Sequence, residues 1–292
     1  MKNPWLISIM EHAEDMPAVE DLQRIVWPGS DAEIIPAHML LASVHNGGLL
    51  LGAFIENKLA GFVYSFLGIS DTAEGRHLKH HSQMLGVHPD YRLSGIGFAL
   101  KRAQWQMVRR QGIERITWTY DPLLSRNAWL NITRLGAVCN TYYEDYYGEL
   151  RDELNKGLPT DRFQVDWWLN TRRVNRRLSR QARAALDLAH YLSAEIPIVN
   201  PSTLNASGLP EPSIDVVLPK AGNGANLLLV EIPADFNGLK TTDNALALRW
   251  RLSTRSIFHE LFNLGYLVTD FIHLPGIQQR SFYALSHGEA TF

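Results

Sequence analysis

Residues 85–100 read Leu85-Gly-Val-His-Pro-Asp-Tyr-Arg-Leu-Ser-Gly-Ile-Gly-Phe-Ala-Leu100, and this stretch decides the fold. The apolar run Gln83–Val87 is typical of a strand, and Arg92–Gly97 forms a glycine loop. Beyond the loop, helical spacing of apolar residues predicts a helix that ends at Gly112. Its predicted buried stripe consists of Ile96, Ala99, Leu100, Ala103 and Met107. Strand, glycine loop and helix therefore follow one another directly.

The loop Arg92-x-x-Gly95-x-Gly97 has the chemistry of an anion cradle. Glycines let backbone N–H groups approach a phosphate without an intervening Cβ, and the helix dipole adds partial positive charge. Taken alone, the same short pattern also fits a structural turn. It lacks the lysine of a nucleoside triphosphate loop and the third glycine of a dinucleotide loop, so both of those readings lose support. We expect the loop to bind a pyrophosphate.

In its strand, its loop and its helix, the stretch resembles the GNAT superfamily of acyl-CoA-dependent N-acyltransferases. A second segment, Ser125–Gly136, resembles the later helix of that family, which closes with Leu-Gly. The resemblance covers roughly residues 5–148. Trp118–Leu123, Tyr147-Gly148 and Trp250–Arg255 further resemble a two-part GNAT subgroup, some members of which are associated with N-succinylation of amino acids.

This resemblance implies that acetyl-CoA or another acyl-CoA is the co-substrate and that no metal is needed. The Val87 amide, where the two central strands of the family separate, is the expected donor to the thioester oxyanion. The residues that the resemblance assigns to coenzyme A are Leu85, Gly86, Val87, Arg92, Leu93, Ser94, Gly95, Ile96 and Gly97.

The general acid and the general base are less clearly marked. The family often places a tyrosine where this chain has Ile132. Tyr146, or its neighbours Tyr142 and Tyr147, can take the role of the acid, although a tyrosine-rich strand is also typical of packing. Asp121 ends a predicted strand and is the candidate base, although Asp-Pro also starts turns. We predict Asp121 and Tyr146 as the catalytic side chains.

The first half of the chain alternates strands with helices, so a mixed α/β fold is predicted. Glu56-Asn57-Lys58 separates two apolar runs and predicts an antiparallel hairpin. Ile116–Tyr120 is β-branched and aromatic, which favours a strand, and Asn140–Tyr147 favours another. We expect a GNAT-like acyl-CoA-binding catalytic domain in residues 1–150.

The second half, residues 151–292, predicts a smaller α/β domain. It is interpreted as a degenerate GNAT-like copy that completes the acceptor pocket. Its predicted strands are Phe163–Leu169, Leu227–Ile232, Tyr266–Ile272 and Arg280–Leu285, and a loop or connector over Pro201–Pro219 includes one edge strand at Ile214–Leu218. One predicted helix covers Arg172–Leu192, and another, capped by Thr242 or Asp243, runs to Leu264.

Arg251, Arg255 and His259 follow one another at four-residue spacing on the last helix. Guanidinium groups match carboxylates, so Arg251 and Arg255 are the candidate substrate-binding residues; a solvated helix face is the alternative. His77, His80 and His81 share a metal-like spacing but lack nearby carboxylates or thiols, and we predict a polar loop there.

Composition excludes several other classes of protein. The 292 residues include 46% hydrophobic and 20% charged residues, which is too apolar for a disordered chain. The net charge of −2 gives no electrostatic footprint for nucleic acid, although Arg172–Arg183 is locally basic. One cysteine, Cys139, favours a reducing compartment, and neither a signal peptide nor a membrane span is visible. We expect a cytoplasmic protein, with a homodimer left open.

We therefore expect an N-acyltransferase that moves an acetyl or succinyl group from acyl-CoA to the amine of a small molecule such as an amino acid. The alternative is a non-catalytic module that binds or senses coenzyme A, which Ile132 favours.

Overall fold

The chain divides into two units by its internal contacts. Unit 1 comprises Met1–Trp118 and Trp168–Asn170, and unit 2 comprises Thr119–Trp167 and Thr171–Phe292. The computed structural model describes residues 4–29, 31–72, 75–148, 157–179, 186–220 and 225–288. The predicted boundary after residue 150 lies outside the described residues, whereas the contact-based division falls within two strands.

Unit 1 is built on a sheet with strand order β1-β2-β3-β4-β5. All neighbouring strands are antiparallel except β4 and β5, which run parallel. Glu56 and Asn57 have positive φ angles and close the predicted hairpin between β2 and β3, so that prediction is confirmed. The strands are β1 (Leu6–Ile9), β2 (Leu49–Ile55), β3 (Lys58–Thr72), β4 (Gly75–Val87) and β5 (Arg115–Tyr120).

Helices cover both faces of this sheet. On one face, α1 (Met16–Val26) and α2 (Ala37–His45) enclose a core that includes Leu50 and Phe62. On the other face lies α3 (Ile96–Arg110), where a Cβ on Gly61 would come within 2.9 Å of the Ile96 side chain. Phe62 and Gly61 are adjacent in β3, and side chains of a strand alternate between faces, so the helices sandwich the sheet.

Unit 2 has a sheet in the order β7-β6-β11-β12-β10. Its core is aromatic: the Phe163 ring lies 4.7 Å from Phe258 and 5.4 Å from Tyr283 between centroids. The elements are α4 (Ser125–Ala128), which continues as a π-helical turn over Trp129–Arg134, β6 (Val138–Tyr143), β7 (Arg162–Trp168), α5 (Arg172–Leu178), α6 (Leu188–Ser193), β8 (Thr203–Leu204), β9 (Pro210–Glu211), β10 (Leu227–Ile232), α7 (Phe236–Thr242), α8 (Asn244–Asn263), β11 (Leu267–Leu274) and β12 (Arg280–Ser286).

Both units mix helices with strands, so the predicted α/β class is confirmed. Of the two predicted caps, Thr242 and Asp243, the structure has Asp243: its carboxylate accepts a hydrogen bond from the Leu246 N–H at the start of α8. Among the described residues, no helix has the length and the apolar composition that a bilayer crossing requires.

Three local predictions were wrong. The histidines predicted in a loop lie in β4, because β3 is long enough to pair with all of that strand. The single helix predicted over Arg172–Leu192 is α5 and α6, with Asp187 capping the second; residues 180–185 lie outside the described part. The edge strand predicted at Ile214–Leu218 does not form: Ile214 is exposed, and the segment remains part of the predicted loop.

Candidate functional site

The amino end of α3 is a cradle of backbone N–H groups. Gly95, the residue before the helix, has a φ of 95°, and Leu93 has a φ of 69°. The first hydrogen bond of the helix runs from the Ala99 N–H to the Gly95 carbonyl at 3.0 Å. The N–H groups of Gly95, Ile96 and Gly97 therefore have no acceptor within the helix, and the helix dipole gives this end a partial positive charge. An anion such as a pyrophosphate matches both properties.

The glycine at position 97 is not required by internal packing. A Cβ there would lie 3.7 Å from the Val87 side chain and 3.8 Å from that of Leu85, which is ordinary contact. At Gly61, by contrast, a Cβ would come within 2.9 Å of the Ile96 side chain of α3, so the glycine at position 61 allows α3 to approach the sheet. The packing would thus tolerate a Cβ at Gly97, and its absence leaves the backbone accessible to a bound group. Arg92 is exposed in the loop that precedes the cradle.

The two central strands separate beside this cradle. Parallel ladder pairs join His80 to Ile116 and His81 to Thr117. Within the described residues, no ladder pair joins the two strands beyond that point, although β4 continues through Ser82–Val87. We call this opening, which begins after the pair His81/Thr117, the strand fork.

The backbone of β4 directs polar groups into the strand fork. The His88 N–H donates to the Ala60 carbonyl of β3 at 2.9 Å, so it faces away from the fork. Backbone groups alternate along an antiparallel strand, so the N–H groups of Val87 and Leu85 point to the opposite side, into the fork. These amides can bind a carbonyl oxygen or an extended chain that enters the fork. The predicted oxyanion donor thus faces the opening.

A buried polar cluster closes the inner end of the strand fork. The Lys101 Nζ donates to the Ser82 Oγ at 3.0 Å and to the Gln104 Oε1 at 2.9 Å. It also lies 3.7 Å from the centre of the Trp118 ring. Burial lowers the pKa of Lys101 well below its ordinary value. Burial, with smaller contributions from Lys79 and Lys101, lowers the pKa of His81 to about 4.

A comparison with protein families identifies the part of the chain that contains these features. Residues 11–129 match the model of the Acetyltransferase (GNAT) family. Those residues contain the strand fork and the cradle.

Residues 11–129 form a GNAT acetyltransferase domain.

Solved structures similar to the chain include a GNAT family acetyltransferase from Elizabethkingia anophelis with acetyl-CoA bound, at 15% identity and a TM-score of 0.44. The match covers 57% of this chain and 99% of that one. A GNAT family acetyltransferase from Streptococcus pneumoniae matches at 16% identity and a TM-score of 0.44, over 56% of this chain and 97% of that one. An aminoglycoside 6′-acetyltransferase type Ii matches at 16% identity and a TM-score of 0.45, over 57% of this chain and 99% of that one. No curated protein matches the chain significantly.

A cleft of about 720 Å³ runs along the GNAT domain between α3 and β1. Its lining includes Trp5, Ile9, Phe98 and Arg102, and it reaches Gly95 at the cradle. The cleft therefore begins where an anion would be held and continues along an apolar helix face. Among the described residues, no group of three or more histidine, cysteine or carboxylate side chains could hold a metal ion.

Unit 2 brings together two of the predicted site residues, Asp121 and Arg251. The Arg251 guanidinium donates to both carboxylate oxygens of Asp121, at 2.8 and 2.5 Å, and the Leu123 N–H donates to the same carboxylate at 2.9 Å. The side chains are 2% and 8% exposed. Burial raises the pKa of Asp121, but the charge and hydrogen bonds of Arg251 outweigh it and the net pKa is lowered. The carboxylate is thus held ionised and fully bonded.

Arg255 lies on the same face of α8 and is also paired. Its guanidinium donates to both oxygens of Asp161 at 2.9 and 2.7 Å, and to Glu144 at 3.0 Å. The Tyr142 hydroxyl donates to the same Asp161 at 2.6 Å, which with burial raises the pKa of Tyr142. This arrangement joins α8 to β6 and β7 within unit 2.

The predicted acid Tyr146 lies in a group of tyrosines. Its ring is 5.0 Å from Tyr143 and 4.8 Å from Tyr147 between centroids, and burial raises its pKa. Ile132, at the position where a tyrosine was expected, is fully buried in the π-helical turn. That position therefore faces the interior of unit 2.

The sequence analysis missed Ser82, Lys101 and Gln104. The predicted apolar stripe of α3 was misplaced: besides Ile96 and Leu100, the helix buries Lys101, Gln104 and Val108. A four-residue repeat of Ile96, Leu100, Gln104 and Val108 is visible in the sequence, but Gln104 interrupts its apolar pattern. No signal in the sequence marks Lys101 as buried.

Proposed function

We propose that the chain is an acyl-CoA-dependent N-acyltransferase whose acyl-CoA site lies in the GNAT domain. The observation that carries this proposal is the strand fork with its two inward amides, Leu85 and Val87, beside the cradle at Gly95–Gly97. One end of this surface suits a pyrophosphate and the other a thioester carbonyl. An extended pantetheine arm matches the strand backbone between them.

Each group has a separate role in this proposal. The amides of the cradle bind the pyrophosphate, and the exposed Arg92 guanidinium adds a positive charge there. The Val87 amide binds the thioester oxygen as negative charge develops on it, and the Leu85 amide lies along the path of the pantetheine arm. Holding the thioester and the amine together lowers the barrier by several kcal/mol, and by about 7–11 kcal/mol when the orientation of the two groups is ideal.

For the acceptor, we propose the amine of a small molecule such as an amino acid, with acetyl or succinyl as the acyl group. The proposed acceptor-binding domain is residues 151–292, a degenerate GNAT-like copy. The tight pairing of Asp121 with Arg251 supports a structural role for both in place of base and substrate binding. The Arg255 guanidinium is already paired and its side chain is 19% exposed, so only a small part of it could contact a substrate carboxylate.

Titration calorimetry with acetyl-CoA, succinyl-CoA and free coenzyme A tests the site. We expect saturable binding by the wild type and its loss in Gly97→Val, which fills the space above the cradle. Gly68→Val is the matched control, because a Cβ at Gly68 also meets only ordinary contacts, at 3.6 Å. Absence of binding by the wild type at millimolar ligand, or equal loss in both variants, would refute the site.

A second candidate is a non-catalytic module that binds or senses coenzyme A, and the burial of Ile132 in place of a catalytic tyrosine favours it. Release of free thiol from acetyl-CoA across a panel of amines separates the two. If the wild type turns over and a folded Gly97→Val variant does not, the hypothesis of a non-catalytic module is rejected. Tight binding with no turnover for any amine or acyl donor rejects the enzyme.

A further inference from the structure

The outer strand of the unit 1 sheet, β1, has an edge that is open to another strand. Its residues Leu6–Ile9 pair with β2 in an unbroken register, and among the described residues no strand pairs with the other side of β1. The strand contains no charge, no proline and no bulge, three features that commonly keep an edge strand from pairing further. Its outer backbone groups are therefore available to a partner.

The outer strand of the unit 2 sheet, β10, is covered instead. The Val199 N–H donates to the Leu229 carbonyl at 2.9 Å, and the Leu229 N–H donates to the Pro197 carbonyl at 2.9 Å. A segment of the same unit thus satisfies the backbone groups of that edge. Within the described parts of the chain, no segment covers the edge of β1 in this way.

The unpaired groups of β1 belong to residues whose side chains line the cleft beside α3. The Met10 N–H donates to the Leu50 carbonyl of β2 at 3.0 Å, so the backbone groups of Ile9 and Ile7 point away from β2. Both isoleucines line the cleft, and Ile9 is 44% exposed. The same two residues thus offer hydrogen-bonding groups and apolar surface. The strand fork lies between β4 and β5, so it does not use this edge of the sheet.

The backbone of β1 is complementary to a second copy of itself. In an antiparallel arrangement about a two-fold axis, with Ser8 opposite Ser8 of the second copy, Ile7 stands opposite Ile9 in both directions. These are the residues with outward N–H and C=O groups, so each of the two pairs exchanges two hydrogen bonds. A two-fold contact of this kind is closed once two copies have met.

The same register brings opposite charges together. Glu11 of one copy stands opposite Trp5 of the other, and Trp5 lines the cleft together with Arg102. Within the part of the chain that the structure describes, neither the Glu11 carboxylate nor the Arg102 guanidinium has a hydrogen-bond or ion-pair partner. A second copy supplies a partner to both groups, and the two-fold axis repeats the contact.

We propose that the chain forms a two-fold dimer in which β1 pairs antiparallel with β1 of a second copy. The backbone groups, the apolar side chains and the charges of this edge are all satisfied by the same partner, which is why a second copy is the occupant. The paired strand is short, so the interface is small and the dimer dissociates on dilution. The proposal is independent of the acyl-CoA site.

Sedimentation velocity of the full chain over a series of concentrations tests for the dimer. We expect the wild type to pass from monomer to dimer as the concentration rises. Ile7→Pro, which removes an outward N–H, should remain monomeric with an unchanged circular dichroism spectrum.

Charge reversal tests the register. Arg102→Glu and Glu11→Lys should each raise the dissociation constant by about tenfold or more. An equimolar mixture of the two variants should dimerise again, because each protomer then meets an opposite charge at both contacts. Arg110→Glu is the matched control: Arg110 is an exposed residue of the same helix and does not line the cleft, so this variant should dimerise as the wild type does.

A cysteine at the two-fold axis gives a direct readout. The Cα atoms of the two Ser8 residues should lie about 4.5 Å apart, which a disulfide can span. Ser8→Cys should therefore form a disulfide-linked dimer under mild oxidation. Ser256→Cys, at another exposed serine, should not, and the native Cys139 is buried.

A wild type that stays monomeric up to millimolar concentration would overturn the proposal. A dimer that Ile7→Pro and both charge reversals leave intact would also overturn it, because the two copies would then meet at another surface. Failure of Ser8→Cys to cross-link in a dimeric protein would contradict the register in the same way.

Discussion

The buried pair of Asp121 and Arg251 allows a quantitative prediction about unit 2. Both side chains are less than one-tenth exposed, and two hydrogen bonds of 2.8 and 2.5 Å join them. Removing one partner of such a pair leaves an uncompensated buried charge, which costs about 3–5 kcal/mol. We therefore expect Asp121→Asn and Arg251→Met each to lower the free energy of unfolding by that amount.

The double variant should cost much less than the two single variants together, because it leaves no unpaired charge. A coupling free energy of about 2 kcal/mol or more is expected from the double-mutant cycle. Urea unfolding followed by circular dichroism gives the free energies, and hydrogen exchange of α8 peptides reports whether unit 2 is the part affected.

A second ion pair on α8 is the matched control. Arg249 and Glu211 lie 3.0 Å apart with side chains 56% and 34% exposed. An exposed pair is worth about 0–1 kcal/mol, so Glu211→Gln should be nearly neutral. If Asp121→Asn and Arg251→Met cost as little as Glu211→Gln, or if their effects add, the pair does not stabilise unit 2 as argued.

The same pair predicts a dependence on pH. Because the pKa of Asp121 is lowered in the folded state, its stabilising contribution is present above the pKa of an unfolded aspartate, about 3.9, and is lost as the pH falls through the folded value. Asp121→Asn should therefore flatten the acid limb of the stability profile. An unchanged loss of stability below about pH 4 would contradict this.

Three further predictions concern the GNAT domain and the π-helical turn. Gly86→Ala should destabilise by about 1–3 kcal/mol, because its Cβ would lie 2.7 Å from the Phe62 ring, whereas Gly97→Ala should change the urea midpoint little. Gly97→Ala should nevertheless weaken acetyl-CoA binding in calorimetry, and the opposite ranking of the two glycines would contradict this account. Ile132→Tyr should lower the melting temperature without raising turnover, since Ile132 is fully buried, and a gain in thiol release would show that the position faces a reacting group.

The cradle and the hairpin of the GNAT domain could be predicted because their signals are local. Gly95 has the positive φ that only glycine adopts freely, and α3 begins at the next residue, Ile96. Glu56 and Asn57 likewise form the turn that their polar sequence indicates. Such features depend on a few consecutive residues, so they can be predicted from the local sequence alone.

The buried polar groups could not be predicted, because each depends on partners far along the chain. Asp121 and Arg251 are separated by 130 residues, and nothing in the sequence indicates that they bind each other. They were therefore predicted separately, as a base and as a substrate-binding residue. From the sequence, Lys101 is expected to be a solvated helix residue; in the structure it contacts Ser82 of β4 and Trp118 of β5. Tertiary contacts thus decide which charged side chains are available for chemistry.

Hydrogen exchange with and without acetyl-CoA tests the central claim most directly, because it locates the bound molecule on the backbone. The account predicts that saturating acetyl-CoA slows exchange in peptides covering residues 85–100, with little change in β10 of unit 2. Binding with no protection in residues 85–100, or protection confined to unit 2, would contradict it.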